Sequence, residues 1–355
     1  MSMDGFEDQA PPAEQRLTYP FGREPPAPGT TQEVAPGVHW VCMPLPMSLK
    51  WINLWLLEDG DGWTIVDTGL ALEETRNYWR AIFESKLGGK PVTRVICTHM
   101  HPDHMGLAGW IGRKFGARLW TSRLEYITAR MLVADTGREA PEDGVRFYAQ
   151  AGWSEPQVAH YKSRFGSFGR VFSRLPDSYR RLSDGDEIEI GGRSWRIVTG
   201  NGHSPEHVCL WQDELRVFIS GDQVLPRITS NVSVFPTEPE ADQLTDWLNS
   251  CRKLQQAVPG DALVLPAHNE PFTGLHARLV QLVDGHEKSL DRLEKRLREE
   301  PRRAVDTFGA LFARKIGDEL IGMATGEAIA HLNCLVSRGR ARRALRDGVL
   351  YYEAV

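Results

Sequence analysis

The chain has 355 residues, of which 41% are hydrophobic and 25% are charged. These values are ordinary for a globular protein and exclude an intrinsically disordered one. The formal net charge of −5 excludes a general electrostatic attraction to nucleic acid or anionic membranes. The length suits one large domain with a small second one.

The cysteine pattern and the hydropathy bear on where in the cell the protein is located. Five cysteines are widely spaced and contain no CxxC pair, which argues against a disulfide framework or a zinc ribbon. The first residues lack the basic and apolar regions of a secretory signal, and no apolar run reaches the ~18 residues that a membrane span needs. We therefore predict buried thiols in a cytoplasmic protein that does not associate with membranes.

The N-terminal part of the chain predicts a strap followed by strands. Residues 1–36 contain seven prolines and predict a tail or an extended strap over the fold. From Val38 onward, short β-branched and aromatic runs predict strands, with a hairpin at "EDGDG". A helix over 72–89, the strand "VTRVIC", a helix near 105–115 and the strand "ARLWT" then alternate. This alternation predicts a layered α/β architecture.

The middle of the chain changes character twice. Residues 122–182 are helical, aromatic and rich in arginine, and we interpret them as a cap inserted between strands. Strands return in "DEIEIGGRSWRIVTG", with a hairpin at its Gly-Gly pair, and continue to "VFISGD". A helix over about 239–257 and the strand "ALVLPAHN" complete a catalytic domain predicted to span 37–275.

Residues 276–355 predict a small helical domain that resembles a winged helix. One long amphipathic helix comes first, and two helical segments follow near 304–316 and 325–337. Thr325 is the expected N-cap of the last helix, and Gly339 lies just past its end. The terminal segment predicts a hairpin that turns at Asp347-Gly348.

The stretch "CTHMHPDHMG", residues 97–106, places imidazole and carboxylate groups directly after a strand. Such groups are preferred ligands of zinc-type metals, and alternate residues of an extended segment can face one ion. Further ligands should come from the ends of other strands, where irregular backbone lets side chains converge. We assign His99, His101 and His203 to one metal. A second metal receives Asp103, His104 and His268, and Asp222 bridges the two. One histidine after a strand more often forms a hydrogen bond, but five histidines and two aspartates at strand exits favour metal binding.

These residues resemble the metallo-β-lactamase superfamily. "HMHPDH" at 99–104 matches its HxHxDH motif, and "VDTG" at 66–69 resembles its first motif, whose aspartate, here Asp67, orients the ligands from behind. The resemblance covers about residues 37–275. It implies a four-layer αββα sandwich with the metals at one edge, between the two sheets.

The resemblance also narrows the reaction. A bridging aspartate at the position of Asp222 is found in glyoxalase II-like thioesterases, lactonases and nucleases, whereas true β-lactamases lack it. His101 stands where an oxygen-reducing diiron branch has glutamate. We predict a binuclear hydrolase in which Asp103 and Asp222 hold a hydroxide that bridges two divalent cations, with Zn²⁺ preferred and iron or manganese as alternatives. A persulfide dioxygenase with a single iron is a minor alternative.

The charge distribution bears on the substrate. Residues 112–182 contain 13 Lys and Arg against 7 Asp and Glu. This excess favours a small anionic thioester, ester or lactone, although cap arginines can also serve solvation alone. The loop at 43–51 either borders the active site or is a turn in the core.

The C-terminal domain leaves one alternative partner open. Residues 286–355 contain 14 basic against 11 acidic residues. An endoribonuclease or phosphodiesterase whose C-terminal domain binds nucleic acid is therefore the alternative, supported by the run Arg338, Arg340, Arg342 and Arg343. The small excess favours instead a domain that packs on the catalytic domain or forms a homodimer.

Overall fold

The computed structural model describes residues 17–46, 49–313 and 315–355. Residues 1–16 of the predicted strap, and positions 47 and 48 of the loop at 43–51, lie outside the described residues. Within the described part, Thr31–Ala35 forms a strand that pairs with the next one, so the predicted domain boundary after residue 36 falls between two paired strands. The predicted strap therefore already contributes an edge to the main sheet.

The first sheet has seven strands in chain order. Its first four strands are antiparallel, and the last three join them in parallel. The strands are β1 (Thr31–Ala35), β2 (Val38–Pro44), β3 (Trp51–Asp59), β4 (Gly62–Val66), β5 (Val92–Ile96), β6 (Arg118–Thr121) and β7 (Tyr179–Arg181). The hairpin predicted at "EDGDG" joins β3 to β4, where Gly60 adopts φ 63°.

The second sheet has five strands in the order β12-β11-β10-β9-β8, and only β12 is parallel to its neighbour. Its strands are β8 (Glu187–Ile190), β9 (Arg193–Gly200), β10 (His207–Gln212), β11 (Val217–Gly221) and β12 (Leu263–Pro266). Gly191 and Gly192 both have positive φ and form the predicted turn between β8 and β9.

The two sheets pack face to face. Trp40 and Trp55 from the first sheet share one apolar cluster with Ile197, Leu210 and Ile219 from the second. Along β3 the neighbours of Trp55 point the other way, toward the helices, which explains why "INLWLL" is apolar without alternation.

Helices cover both outer faces and complete the four-layer αββα sandwich, which confirms the predicted fold class. Against the first sheet lie α1 (Glu73–Ser85), α2 (Pro102–Met105), α3 (Ala108–Phe115) and α4 (Arg123–Ala134). The rest of the cap contains α5 (Glu142–Gln150), α6 (Glu155–Arg164) and a 3₁₀ turn over Phe168–Val171. Against the second sheet lie α7 (Gln243–Ala257) and α8 (Leu275–Glu299).

Three predicted helix boundaries differ from the observed ones. The helix expected near 105–115 is two helices, α2 and α3. The one expected from 239 begins at Gln243, because the Asp242 side chain accepts a hydrogen bond from the Thr245 N–H and caps it. The segment near 304–316 is a 3₁₀ turn over Ala304–Thr307 followed by the short α9 (Phe308–Leu311).

The last helix, α10 (Ile321–Ser337), begins four residues before the predicted N-cap. Thr325 lies buried inside it and accepts a hydrogen bond from the Trp153 indole N–H. The predicted end is correct, since Gly339 follows the helix in a left-handed conformation. The hairpin of β13 (Ala341–Arg346) and β14 (Val349–Ala354) turns at Asp347-Gly348 as expected. The winged-helix comparison stays a prediction.

Within the described ranges, we find no helix with the length and hydropathy that crossing a bilayer requires.

Candidate metal centre

The motif at 99–104 follows β5 and leads into α2. His99 and His101 lie in the irregular backbone before the helix, where no ladder restrains their side chains. Pro102 occupies the first turn of α2, which it tolerates because an N–H at that position has no intrahelical partner. Asp103 and His104 belong to this turn, and the ring centroids of His99 and His104 lie 3.9 Å apart.

Four of the predicted ligands form one cluster. The His99 Nε2 atom lies 2.8 Å from His101 Nδ1 and 3.3 Å from His203 Nε2. The Asp222 Oδ2 atom lies 3.3 Å from His203 Nε2 and 4.0 Å from His99 Nε2. Ligands about 2.0–2.2 Å from a tetrahedral ion are separated from one another by about 3.4 Å, so these atoms surround a space of the right size.

The remaining predicted ligands form a second cluster around the other oxygen of Asp222. The Asp222 Oδ1 atom lies 3.7 Å from His104 Nε2 and 3.5 Å from His268 Nε2. The Asp103 Oδ2 atom lies 3.8 Å from His104 Nε2 and 3.4 Å from His268 Nε2. Asp222 therefore presents one carboxylate oxygen to each cluster, as the predicted bridging residue would.

Two buried atoms of the second cluster support a cation there. His104 Nε2 and Asp222 Oδ1 are buried and lack a hydrogen-bond partner. Leaving such atoms unpaired costs about 1–3 kcal/mol each. A divalent cation would satisfy both, and the nitrogen and oxygen donor set of the two clusters matches the ligands that zinc, iron and manganese accept. The residues present therefore fit the predicted pair of metal ions.

Hydrogen bonds behind the clusters orient three of the histidines. The His104 Nδ1–H donates to Asp67 Oδ2 over 2.8 Å. The His203 Nδ1–H donates to the Asn231 carbonyl over 2.8 Å, and the His268 Nδ1–H to the Trp51 carbonyl over 3.2 Å. With the proton held on Nδ1, each Nε2 lone pair faces its cluster.

Asp67 holds more than His104. It has a φ of 61°, and its carboxylate also accepts hydrogen bonds from the backbone N–H and the hydroxyl of Thr98, over 2.7 and 2.8 Å. Asp67 thereby ties the exit of β4 to the segment that precedes His99.

The two clusters differ in their electrostatics. Burial, reinforced by His203, lowers the pKa of His101 to about 3, and burial lowers that of His99 well below its usual range. At the second cluster burial opposes the charged imidazole, but Asp67, Asp103 and Asp222 outweigh it and raise the pKa of His104. In the first cluster His99 and His101 thus offer neutral imidazoles, and the second cluster has excess negative charge that favours a cation.

Glu125 is a functional candidate that the sequence analysis missed. Its fully buried Oε2 accepts the Met100 N–H over 2.8 Å. Its Oε1 accepts the Ser204 hydroxyl and the Glu206 N–H, each over 2.7 Å. Glu125 thus joins the loops that present His99 and His203. The sequence "SRLE" predicts a local capping box at the start of α4, but only Ser122 caps the helix, and the carboxylate faces the loops instead.

His207 and Asn53 were also missed. The His207 Nε2 accepts the Asp222 N–H over 3.1 Å, so this imidazole holds the backbone of Asp222. The Asn53 Nδ2 donates to the Pro266 carbonyl over 2.9 Å and fastens β3 of the first sheet to the end of β12, two residues before His268. Only the packing of the two sheets reveals this contact, since the partners lie 213 residues apart.

The aromatic side chains of the predicted cap pack inward. Phe168, Phe172 and Tyr179 pack against the core of the first sheet, and the neighbouring arginines are exposed. Arg181 lies beside the loop that follows His203, with its Nη2 atom 3.9 Å from Glu206 Oε1.

Comparisons with known proteins agree with this geometry. Residues 52–268 match the family described as the metallo-beta-lactamase superfamily, and residues 290–355 match a metallo-beta-lactamase-like C-terminal domain. The structure superposes on a beta-lactamase domain protein from Burkholderia ambifaria with a TM-score of 0.88. The two share 41% sequence identity over 96% of this chain and 99% of that one.

Curated relatives are more distant. The acyl-coenzyme A thioesterase MBLAC2 of Gallus gallus is 26% identical over 243 residues, which are 66% of this chain and 79% of the relative. An atrochrysone carboxyl ACP thioesterase of Aspergillus fumigatus is 23% identical over 65% of this chain and 41% of the relative. The family match spans more than half of the chain, and the predicted fold is observed. The chain therefore belongs to the metallo-beta-lactamase superfamily of metal-dependent hydrolases.

Proposed function

We propose that the protein is a binuclear metal-dependent thioesterase that hydrolyses a small acyl thioester with an anionic portion. The observation that carries this proposal is Asp222, whose two carboxylate oxygens face different ligand clusters. Relatives named as thioesterases of acyl-coenzyme A and of an acyl carrier protein support a thioester as the substrate.

The ligand assignment is part of the proposal. His99, His101 and His203 would hold one cation, and Asp222 would share it with the second. The second cation would be held by Asp103, His104 and His268. When bound, such a pair of divalent cations lowers the pKa of a water molecule and polarises a carbonyl oxygen.

The chain's own residues supply position and charge. Asp222 and Asp103 add negative charge where the cations bind, and the Nδ1–H bonds of the histidines hold their rings in place. Met100, between His99 and His101, is buried in the apolar core of the first sheet and anchors the segment that presents these two histidines.

A first experiment tests the reaction class. Purified full-length protein is expected to contain two metal ions per chain and to release free thiol from acyl-coenzyme A, with activity lost in EDTA and restored by Zn²⁺. Hydrolysis of a lactone or of bis-nitrophenyl phosphate in place of thioesters would refute the substrate class. A single bound iron would refute the binuclear hydrolase and favour the dioxygenase.

A matched pair of variants tests the bridging residue. Asp222→Ala is expected to lose one bound ion and most of the activity. Asp213→Ala removes an exposed carboxylate from the turn before β11, the strand that Asp222 follows. This variant should behave like the wild type. Full activity of Asp222→Ala would refute the bridging assignment.

A pair of substrates tests whether the protein recognises the anionic portion of the thioester. Arg181 is exposed and lies beside the loop that follows His203. Arg181→Ala should therefore raise KM for acyl-coenzyme A and leave KM unchanged for the corresponding N-acetylcysteamine thioester, which lacks phosphates. Equal changes for both substrates would refute an interaction with the anionic portion.

The nucleic-acid alternative receives less support. Each arginine of its basic run forms an ion pair with an acidic side chain. The pairs are Arg338–Glu287 and Arg340–Asp291, both at 2.7 Å, Arg342–Glu353 at 2.9 Å, and Arg343–Glu240. Paired arginines have less charge to offer phosphates, so these residues favour a role in packing the C-terminal segment.

A further inference from the structure

The N-terminal half of α10 contacts the segment 230–234, which follows β11 in the catalytic domain. The Val234 N–H donates to the Gly326 carbonyl over 3.0 Å, and the Asn231 Nδ2 donates to Glu327 Oε2 over 3.0 Å. The approach is close, because a Cβ on Gly326 would lie only 2.8 Å from the Ser233 side chain. This contact joins residues almost a hundred positions apart and includes a backbone hydrogen bond.

The same segment holds two of the proposed ligand residues from behind. The Asn231 carbonyl accepts the Nδ1–H of His203 over 2.8 Å. The Ser230 hydroxyl donates to the Asp222 carbonyl. A shift of this segment would therefore move a ligand of the first cluster and the residue that belongs to both.

Glu327 is the ionisable member of this arrangement. It is partly buried between α10 and the segment, and its one side-chain partner there is the Asn231 amide. The other atoms of Asn231 are also engaged, because its Oδ1 accepts the Ser233 hydroxyl over 2.5 Å. Asn231 is thus held at both polar atoms of its side chain while its carbonyl accepts the His203 Nδ1–H.

We propose that Glu327 is a positioning residue of the metal centre. Through Asn231 it holds the proton of His203 on Nδ1 and keeps Nε2 directed at His99 and Asp222. The C-terminal helix α10 would then complete the active site rather than serve a separate binding function. The inference rests on the proposed role of His203 as a ligand, but not on the identity of the substrate.

Binding of Co²⁺ tests the proposal without using activity. Full-length apoprotein is titrated with Co²⁺ against a chelator, and the visible spectrum of the bound ion is recorded. Glu327→Ala is expected to bind Co²⁺ about 10–100-fold more weakly and to change that spectrum, because outer partners of ligating histidines have effects of this size. Glu327→Gln keeps an oxygen for the Asn231 amide and should restore the wild-type affinity and spectrum.

Two controls separate positioning from folding. Glu319→Ala removes an exposed carboxylate just before α10 and should leave Co²⁺ binding unchanged. Asn231→Ala removes the same hydrogen bond from its other end and should reproduce the effect, even if Glu327→Ala fails to fold.

Wild-type Co²⁺ affinity and spectrum in Asn231→Ala, or in a folded Glu327→Ala, would overturn the proposal. So would a wild-type protein that binds no Co²⁺. A protein that binds two ions and hydrolyses no thioester would refute the proposed function alone, since the effect of Glu327 on metal binding is measured separately.

Discussion

Removing the Glu125 carboxylate should destabilise the protein and weaken metal binding together. In Glu125→Ala the N–H groups of Met100 and Glu206 lose their acceptor inside a closed site. Each buried unpaired group costs about 1–3 kcal/mol, while the Ser204 hydroxyl can rotate toward another acceptor. Burial raises the pKa of Glu125, so its removal also recovers part of a desolvation cost. We expect a net loss of about 2–4 kcal/mol in the free energy of unfolding.

The assay is urea unfolding of the EDTA-treated protein, followed by metal analysis after reconstitution. Glu125→Gln keeps one acceptor oxygen, so its loss should lie between those of the wild type and Glu125→Ala. Glu142→Ala, at an exposed position in the first turn of α5, is the control and should stay within about 0.5 kcal/mol of the wild type. If Glu125→Ala unfolded like this control and still bound two ions, the reasoning about the joined loops would be refuted.

Three further predictions concern other contacts of the site. Asp67→Asn places an amide N–H opposite the His104 Nδ1–H in one of its orientations, so metal affinity measured by chelator competition should fall about 10–100-fold. Unchanged affinity would show that Asp67 does not orient His104. Residue 221 has a φ of 51°, and in Gly221→Ala the new Cβ would lie 2.5 Å from the His207 ring. We therefore expect the purified variant to contain less than the normal amount of metal. Two metal ions per chain would contradict this expectation. Burial raises the pKa of Glu327 from 4.5 to about 7. Between pH 4.5 and about 7 the folded protein therefore keeps the Glu327 proton, whereas the unfolded chain loses it. The stabilisation that protonated Glu327 provides is thus lost as the pH rises through this range. Relative to Glu327→Gln, the free energy of unfolding of the EDTA-treated wild type should fall by up to about 3 kcal/mol over this range, which urea titrations at pH 5 and pH 8 can measure; a constant difference would contradict the raised pKa.

Much of the fold could be predicted from the sequence because its signals are local. The turns at Gly60, Gly191-Gly192 and Asp347-Gly348 have positive φ, which glycine adopts readily and aspartate tolerates. The family resemblance added the order of the layers. Helix starts were less accurate, because Thr325 could not be recognised as a partner of Trp153 instead of a cap.

The sequence by itself indicated which side chains could bind a metal, because their residue types and the strand before each group are local features. Tertiary structure alone decided which residues support them. Asn53 and Glu327 act through partners that lie far away in the chain. Sequence could not indicate these partners, because the residues around an amide in a strand or a carboxylate in a helix do not depend on what it contacts. The pairing of Arg338 and Arg340 with acidic side chains was equally invisible, although it supports the packing role that the small basic excess favours. Local backbone chemistry can therefore be inferred from sequence, whereas hydrogen bonds and ion pairs between distant segments exist only once the sheets and helices have packed.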